Sequence, residues 1–312
     1  MTNPKRQHYL PQFYLEGFTD HEDHLLWVFD RELKQFRCQQ PKDTAVQGYY
    51  YTFTDGNGKR RNDIEEFFSL IESQTKPILD RISQGKVITD DEKQAFSIFI
   101  AFQKTRVPDF EKGMNEVGEK IFKRISELMF SSERGAAEMI KKVRIDAGKD
   151  LEINPREFAD FVKRGDYTIN FEREHSIRLM MSLTMKLAIH FAEMDWAFFR
   201  APERSSFLTS DNPFALIPPE GFDPKGFFGV GILTPGTTKI MPISSEYCLA
   251  MGDHGDKIQI IEIDHAMVRR LNSYSAINSD RFIIGKANRL LEKIVSVTNV
   301  GKWRKESRFH VS

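Results

Sequence analysis

The chain has 312 residues, 40% hydrophobic and 29% charged, which is enough apolar material for one large core or two modest ones. Lys plus Arg and Asp plus Glu number 45 each, so the formal net charge is zero, which excludes a broad non-specific nucleic-acid surface and leaves room only for a local basic cleft. Only two cysteines, Cys38 and Cys248, are present, no apolar run has the length of a membrane span, and the polar Met1–Arg6 start lacks a leader's apolar core, so a reducing cytoplasmic setting off the membrane is expected.

In chain order, Leu10–Phe18 reads as a short helix or an extended arm, and Leu25–Asp30 as a compact strand ending in an Asp-Arg turn. Tyr49–Phe53 is β-rich, and Asp55-Gly56-Asn57-Gly58 closes it with turn chemistry. Ile64, Phe67, Phe68 and Ile71 recur at helical spacing, so a helix is expected over 62–84, bent at Pro77 and ended by Gly85. Thr89-Asp90-Asp91-Glu92 has the form of a capping box. It opens a second helix through Phe96, Phe99, Ile100 and Gln103 toward Arg106, to be stopped or bent by Pro108. The short link between the two predicts an antiparallel hairpin. Helical periodicity with mixed charge continues over 110–145, 146–156 with Gly148 and Pro155 reads as a loop, and 172–191 as a further helix.

Beyond Trp196 the pattern changes to strands at 198–199, 207–209, 239–243, 247–251, 258–262 and 282–284. A Pro- and Gly-rich irregular stretch occupies 213–236, and Asp264 caps a helix reaching Ser275. The expected class is α+β in a single domain, 1–312. An arm and short strands fill 1–60, a helix-rich middle 61–195, and a mixed C-terminal third 196–312.

Four groups carry candidate chemistry. His8, ahead of Pro11, Tyr14 and Phe18, has the side chain of a general base or metal ligand, or of a histidine that only packs. Glu65 and Glu72 stand two turns apart on one half-apolar helix face, where buried carboxylates need cations or a metal. Gln103 and Arg106 stand at i and i+3, and an antiparallel hairpin would carry Arg106 toward Glu65. A guanidinium there either locks the hairpin or holds a phosphate or carboxylate. Asp211 and Asn212, after a strand and before Pro213, are placed as site residues or as an Asx turn. The sequence has no phosphate-cradling Gly-rich loop with Lys, no dinucleotide fingerprint, no nucleophile elbow and no His-Glu-x-x-His. Asp253-His254-Gly255-Asp256 has side chains that could bind a metal but reads first as an exposed turn between strands, and the basic runs Lys141–Arg144 and Lys302–Lys305 read as solvated faces.

His8-Tyr9-Leu10-Pro11-Gln12-Phe13-Tyr14-Leu15 with Phe18 resembles the opening signature of the proteins grouped as domain of unknown function 4238, found widely in bacteria. Leu26–Asp30 resembles that family's first strand, Glu65 and Glu72 its paired-glutamate helix, and Phe207–Pro213 its second signature, followed by Met241–Ser244. Gln103-x-x-Arg106-x-Pro108 resembles its Gln/Arg/Pro helix end, with Val107 where the family usually has Thr. The resemblance implies no activity. It does place His8, Glu65, Glu72, Gln103, Arg106, Asp211 and Asn212 in the family's motifs, and if these converge in space the expected reading is a functional cleft rather than a purely structural cluster.

The expected function is hydrolysis of a phosphoester or phosphodiester in a nucleotide or nucleic acid. His8, Glu65, Glu72 and Asp211 would bind divalent Mg or Mn, and Arg106 would stabilise a phosphoryl oxygen. Such chemistry suits an effector of bacterial defence or a toxin. The alternative is a non-catalytic ligand- or partner-binding module with a structural polar cluster, and a third expectation is a metal-free acid–base hydrolase with His8 as base. A homo-oligomer is compatible with each.

Overall fold

The structure, a computed structural model, describes residues 6–20, 22–48, 53–54, 60–61, 63–148, 152–222 and 230–298. The expected turn at 55–58, most of the strand at 49–53, the basic run at 302–305 and the 223–229 part of the irregular stretch lie outside the described residues. The chain forms two compact units, one of Met1–Glu111 with Arg173–Glu306 and one of Lys112–Glu172 with Ser307–Ser312.

The first unit opens with β1 (Arg6–His8), α1 (Gln12–Glu16), β2 (Leu26–Asp30), β3 (Gln35–Gln39), β4 (Val46–Gly48), β5 (Phe53–Thr54) and β6 (Arg60–Arg61). The expected hairpin follows as α2 (Asp63–Ser83) and α3 (Asp90–Thr105). Helix α4 (Pro108–Phe130) begins in this unit; α5 (Glu133–Ala147) and α6 (Pro155–Arg164) belong to the second. The chain then returns to the first unit with α7 (Arg173–Ala192), β7 (Met194–Arg200), β8 (Thr209–Ser210), β9 (Ala215–Ile217), β10 (Thr238–Pro242), β11 (Tyr247–His254) and β12 (Ile258–Glu262). It finishes with α8 (His265–Asn278), β13 (Phe282–Gly285) and α9 (Asn288–Thr298). The class is α+β, as expected.

Local chemistry accounts for the hairpin. Gly85, at φ +71°, ends α2, and its N–H reaches the Ile82 carbonyl at 2.8 Å while Lys86 N–H reaches that of Arg81 at 3.2 Å. These crossed bonds satisfy the last carbonyls of the helix. Thr89 Oγ1 accepts from Glu92 N–H at 3.2 Å and the Glu92 carboxylate accepts from Thr89 N–H at 2.8 Å, a complete capping box. Pro77 lies inside α2, which continues through it to Ser83.

Three expectations change. The periodic stretch 110–145 is two helices, because Ser132 interrupts it and caps α5 by accepting from Gly135 N–H at 3.1 Å. Pro155, expected in a loop, instead opens α6 under an Asn154 cap, since the first helical position needs no donor. Phe207 and Leu208, expected in a strand, bond instead to the Ser245 carbonyl at 2.8 Å and the Asn272 side chain at 3.0 Å, so β8 keeps only two residues.

A five-stranded sheet runs in the order β12-β7-β11-β10-β9, antiparallel except for β12 beside β7. An antiparallel four-stranded sheet runs β3-β2-β13-β8, and β1 pairs β4 and β5 pairs β6 in two-stranded ribbons. The core of the unit is aromatic. Phe96, Phe99, Ile100 and Phe102 of α3 are fully buried, with Phe96 against Trp196 at 5.9 Å and Phe102 edge-on to Phe68 at 5.1 Å between ring centres. Helices α3 and α7 lie antiparallel: Thr105 bonds Thr184 at 2.6 Å at one end, and Lys93 Nζ donates to the Met194 carbonyl at 2.6 Å at the other.

In the second unit Phe171 packs over Phe122 at 5.7 Å and seats on Gly118, where a Cβ would stand 2.7 Å from its ring. Among the described residues no helix is long and apolar enough to cross a membrane.

Candidate functional site

The C-terminal end of α3 carries the most unusual polar chemistry of the first unit. Gln103 and Arg106 share one face because they stand at i and i+3 and Arg106, at φ −89° and ψ −2°, continues the helical backbone. Both are buried, at 0% and 2% exposure. Arg106 Nη1 donates to Glu72 Oε1 of α2 at 3.1 Å, and its guanidinium lies 5.4 Å over the Phe68 ring. Among the described residues its Nε and Nη2, and both amide atoms of Gln103, are buried with no hydrogen-bond partner. Native buried polar groups are paired nearly always, so four orphan atoms on one helix face call for an explanation. The Nε–Nη2 edge is the fork with which arginine grips a carboxylate or phosphate bidentately. Glu72 therefore holds the cation in place while leaving that fork free.

Asn212 adjoins this corner. Its Nδ2 donates to Asp109 Oδ2 at 2.9 Å, in the first turn of α4 just after Arg106, and its own Oδ1 is buried without a partner. Lys104 reaches over the Phe214 ring at 5.9 Å, a second tie between the α3 end and the segment after β8. Tyr14 of α1 fastens the opening signature to the same segment. Its hydroxyl donates to the Pro242 carbonyl at 2.7 Å and shares a bond with Thr209 Oγ1 at 2.7 Å. Burial pushes the Tyr14 phenol far up, so it stays a donor.

The other expected residues sit differently. His8, half-buried on β1, has its Nε2 2.9 Å from the Gln12 amide nitrogen, which donates to it. Glu65 lies in α2, with its side chain outside the described residues. Of the two glutamates, Glu72 is the one whose described side chain meets Arg106. Asp211 is engaged by the backbone: Oδ1 accepts from Asp280 N–H at 2.9 Å and Oδ2 from Arg281 N–H at 2.7 Å, so both oxygens brace the turn before β13. Among the described residues His8, Glu72 and Asp211 do not form a cluster able to share an ion.

Four of the segments tied together here, the α1 arm, the α2–α3 hairpin end, β8 with Asp211 and Asn212, and β10, are those whose residues resembled one family. That family, described as a protein of unknown function (DUF4238), matches residues 6–289, nearly the whole chain. The chain belongs to DUF4238. No curated protein and no solved structure matches it.

The DUF4238 match also covers polar residues that sequence inspection passed over. Asp109 follows Pro108 in the first turn of α4, where its charge suits the helix dipole, and only the fold shows that it holds Asn212. Asp30, at the end of β2, is fully buried and accepts from Arg281 Nε and Nη2 at 3.1 and 2.9 Å and from Arg37 Nη2 at 3.1 Å. Its signal was the Asp-Arg turn, which reads from sequence as a strand end and nothing more.

Asp211 should mark the family's second signature with a pH dependence. Burial, then the nearby Asp280 carboxylate, pushes its carboxyl up to about 7 against the pull of the backbone N–H groups. A carboxyl whose folded pKa exceeds its unfolded value of about 4 keeps its proton longer when folded, so its contribution is present at low pH and is lost as pH rises toward 7. The swing is about 4 kcal/mol at most. Thermal denaturation from pH 4 to 8 should show wild type losing stability relative to Asp211→Asn. A wild type that gains on the variant as pH rises would contradict this.

Proposed function

We propose that this DUF4238 chain recognises a phosphoester ligand, such as a nucleotide or a nucleic-acid end, at the Gln103–Arg106 corner, and acts on it as a phosphoester hydrolase. One observation carries the proposal: the buried, unpartnered fork of Arg106 beside the unpartnered amide of Gln103. A phosphoryl oxygen pair fits the guanidinium edge bidentately, and the Gln103 amide supplies a further donor and an acceptor for a ligand hydroxyl. The Asn212 Oδ1 atom adds a second acceptor nearby. Preorganised donors of this kind stabilise the charge that builds on a transferring phosphoryl group. His8 is the residue we assign as general base, its Nε2 taking up a proton once the Gln12 amide leaves it.

A binding module without turnover is the second reading. It is favoured by Asp211, whose oxygens are both engaged by backbone N–H groups and so serve the fold. A reducing, cytoplasmic setting belongs to either reading and fits the exposed free thiol of Cys38.

The deciding assay follows release of nitrophenolate from bis(p-nitrophenyl) phosphate and of phosphate from nucleoside monophosphates, with and without Mg2+ or Mn2+, alongside binding of the same compounds. Turnover abolished by Arg106→Met supports the hydrolase. Binding lost in that variant without any turnover supports the module. Neither binding nor turnover would overturn both. The metal arms also decide whether the α2 carboxylates recruit a cation.

A further inference from the structure

We propose that His190, Glu193 and His254 form a binding site for one divalent transition-metal ion of the zinc type, separate from the Gln103–Arg106 corner. One donor atom from each of the three side chains lies within 4.8 Å of the other two, the only such group of three among the described residues. Two imidazoles and one carboxylate are a donor set suited to zinc, nickel or copper rather than to calcium or magnesium, which take oxygen.

The fold brings them together from two elements. His190 stands one turn before Glu193, whose N–H still bonds the Ile189 carbonyl at 3.3 Å, so both project from the last turn of α7. His254 ends β11, where the register against β7 shifts after Met251. Gly255 N–H donates to the Glu193 carbonyl at 2.9 Å, and a side chain at 255 would run into the Asp195 carboxylate, so the glycine permits the approach.

The donor atoms are already oriented. His254 Nδ1 donates to the Glu193 carbonyl oxygen at 3.0 Å, which fixes the ring proton there and turns the Nε2 lone pair outward. That Nε2 stands 3.8 Å from Glu193 Oε2. This is beyond hydrogen-bond distance and near the roughly 3.4 Å between two ligand atoms each about 2.1 Å from a tetrahedral ion. The His190 and His254 rings meet edge to face with centres 6.1 Å apart. His190 Nε2 is buried with no hydrogen-bond partner, the independent sign that something else is meant to take its lone pair. Lys239 is the cation facing this histidine, and Asp253 offsets it. With His254 and Glu193 at 70% and 55% side-chain exposure, water completes the coordination shell.

The site is remote from the oxyanion corner. Lys93, near the start of α3, bonds the carbonyl of Met194, the residue after Glu193, whereas Arg106 caps the other end, roughly 20 Å away at the helical rise. The ion therefore clips the end of α7 to the end of β11 rather than taking part in chemistry at Arg106.

The test uses the untagged full chain, stripped with a chelator and titrated with Zn2+ by calorimetry and with Co2+ by absorption spectroscopy. We expect one tightly bound ion per chain, a rise in melting temperature with Zn2+, and the visible bands of cobalt in a low-symmetry N/O site. His190→Asn, Glu193→Gln and His254→Ala should each weaken binding beyond the roughly ten- to hundred-fold that loss of an outer-shell partner costs, while Arg106→Met leaves it unchanged. His254 is exposed at a strand end, so its variant decides the matter should the His190 variant fail to fold. Undiminished affinity in His254→Ala and Glu193→Gln, or no stoichiometric ion in wild type, would overturn the proposal.

Discussion

Asp30→Ala lowers the free energy of unfolding by about 3 kcal/mol, enough to threaten a marginally stable fold. The Asp30 carboxylate is 0% exposed and accepts from the Glu32 and Leu33 N–H groups, each at 3.1 Å, as well as from Arg37 and Arg281. Removing it orphans the backbone donors of the β2 turn and deletes the side-chain tie between β2 and Arg281, the residue just before β13, leaving only the backbone ladder between the two strands. Both arginines are about two-fifths exposed and can hydrate, which keeps the cost near the lower end of the roughly 3–5 kcal/mol seen when a buried pair is broken. Burial alone would raise the Asp30 carboxyl, but the Arg281 bonds and the Leu33 N–H hold it below the usual carboxylate range. Its contribution is thus present above about pH 4 and is lost as pH falls through the lowered value. Urea denaturation at pH 7 and at pH 3 checks both parts. A gap between wild type and variant that widens on acidification would contradict the assignment.

Arg106→Met separates stability from binding. Methionine fills a similar volume, removes two orphan donor nitrogens from the interior, and leaves Glu72, 31% exposed on its side chain, free to hydrate. Removing one member of a buried pair is costly when it strands the other charge in the interior, whereas replacing a whole buried pair by apolar groups is often neutral or stabilising by about 1–4 kcal/mol. The part-exposed Glu72 left behind here can hydrate, which places Arg106→Met nearer the second case. We expect unchanged or raised stability together with at least a hundred-fold loss of phosphoester affinity, about 2.8 kcal/mol or more. Glu72→Ala behaves in the opposite way, because it strands the Arg106 cation among Phe68 and Phe102. It should destabilise by about 2–3 kcal/mol, discounted for the exposure of Glu72. Equilibrium unfolding with phosphate binding on the three proteins checks the contrast. An Arg106→Met protein as damaged as Glu72→Ala would show Arg106 to be a structural lock.

Much of this corner is legible from sequence because its causes are local. The Thr89–Glu92 box, Gly85 at positive φ and the Gln103/Arg106 spacing each depend on a few neighbours, and all fold as expected. What failed depends on distance. Glu65 and Glu72 are equivalent on a helical wheel, and only the crossing of α2 against α3 shows that Glu72 reaches Arg106. Asp211 has the residue type of a site, but the arrival of the 280–281 turn at its carboxylate decides its role, and that turn is some seventy residues away. The ladder partners of Phe207 and Leu208 were replaced by Ser245 and Asn272, which no periodicity records. His190 and Glu193 become notable only once a register shift in β11 delivers His254.

The most direct measurement follows the side-chain Nε–H resonance of Arg106 by heteronuclear NMR while inorganic phosphate, then a nucleoside monophosphate, then acetate is added to the full chain, with Arg106→Met supplying the assignment. A buried fork waiting for an oxyanion predicts a saturable downfield shift of that one resonance, stronger for the phosphates than for acetate, with the Gln103 amide protons moving alongside it. An Arg106 signal that stays fixed through millimolar phosphate, while the protein remains folded, would contradict the account.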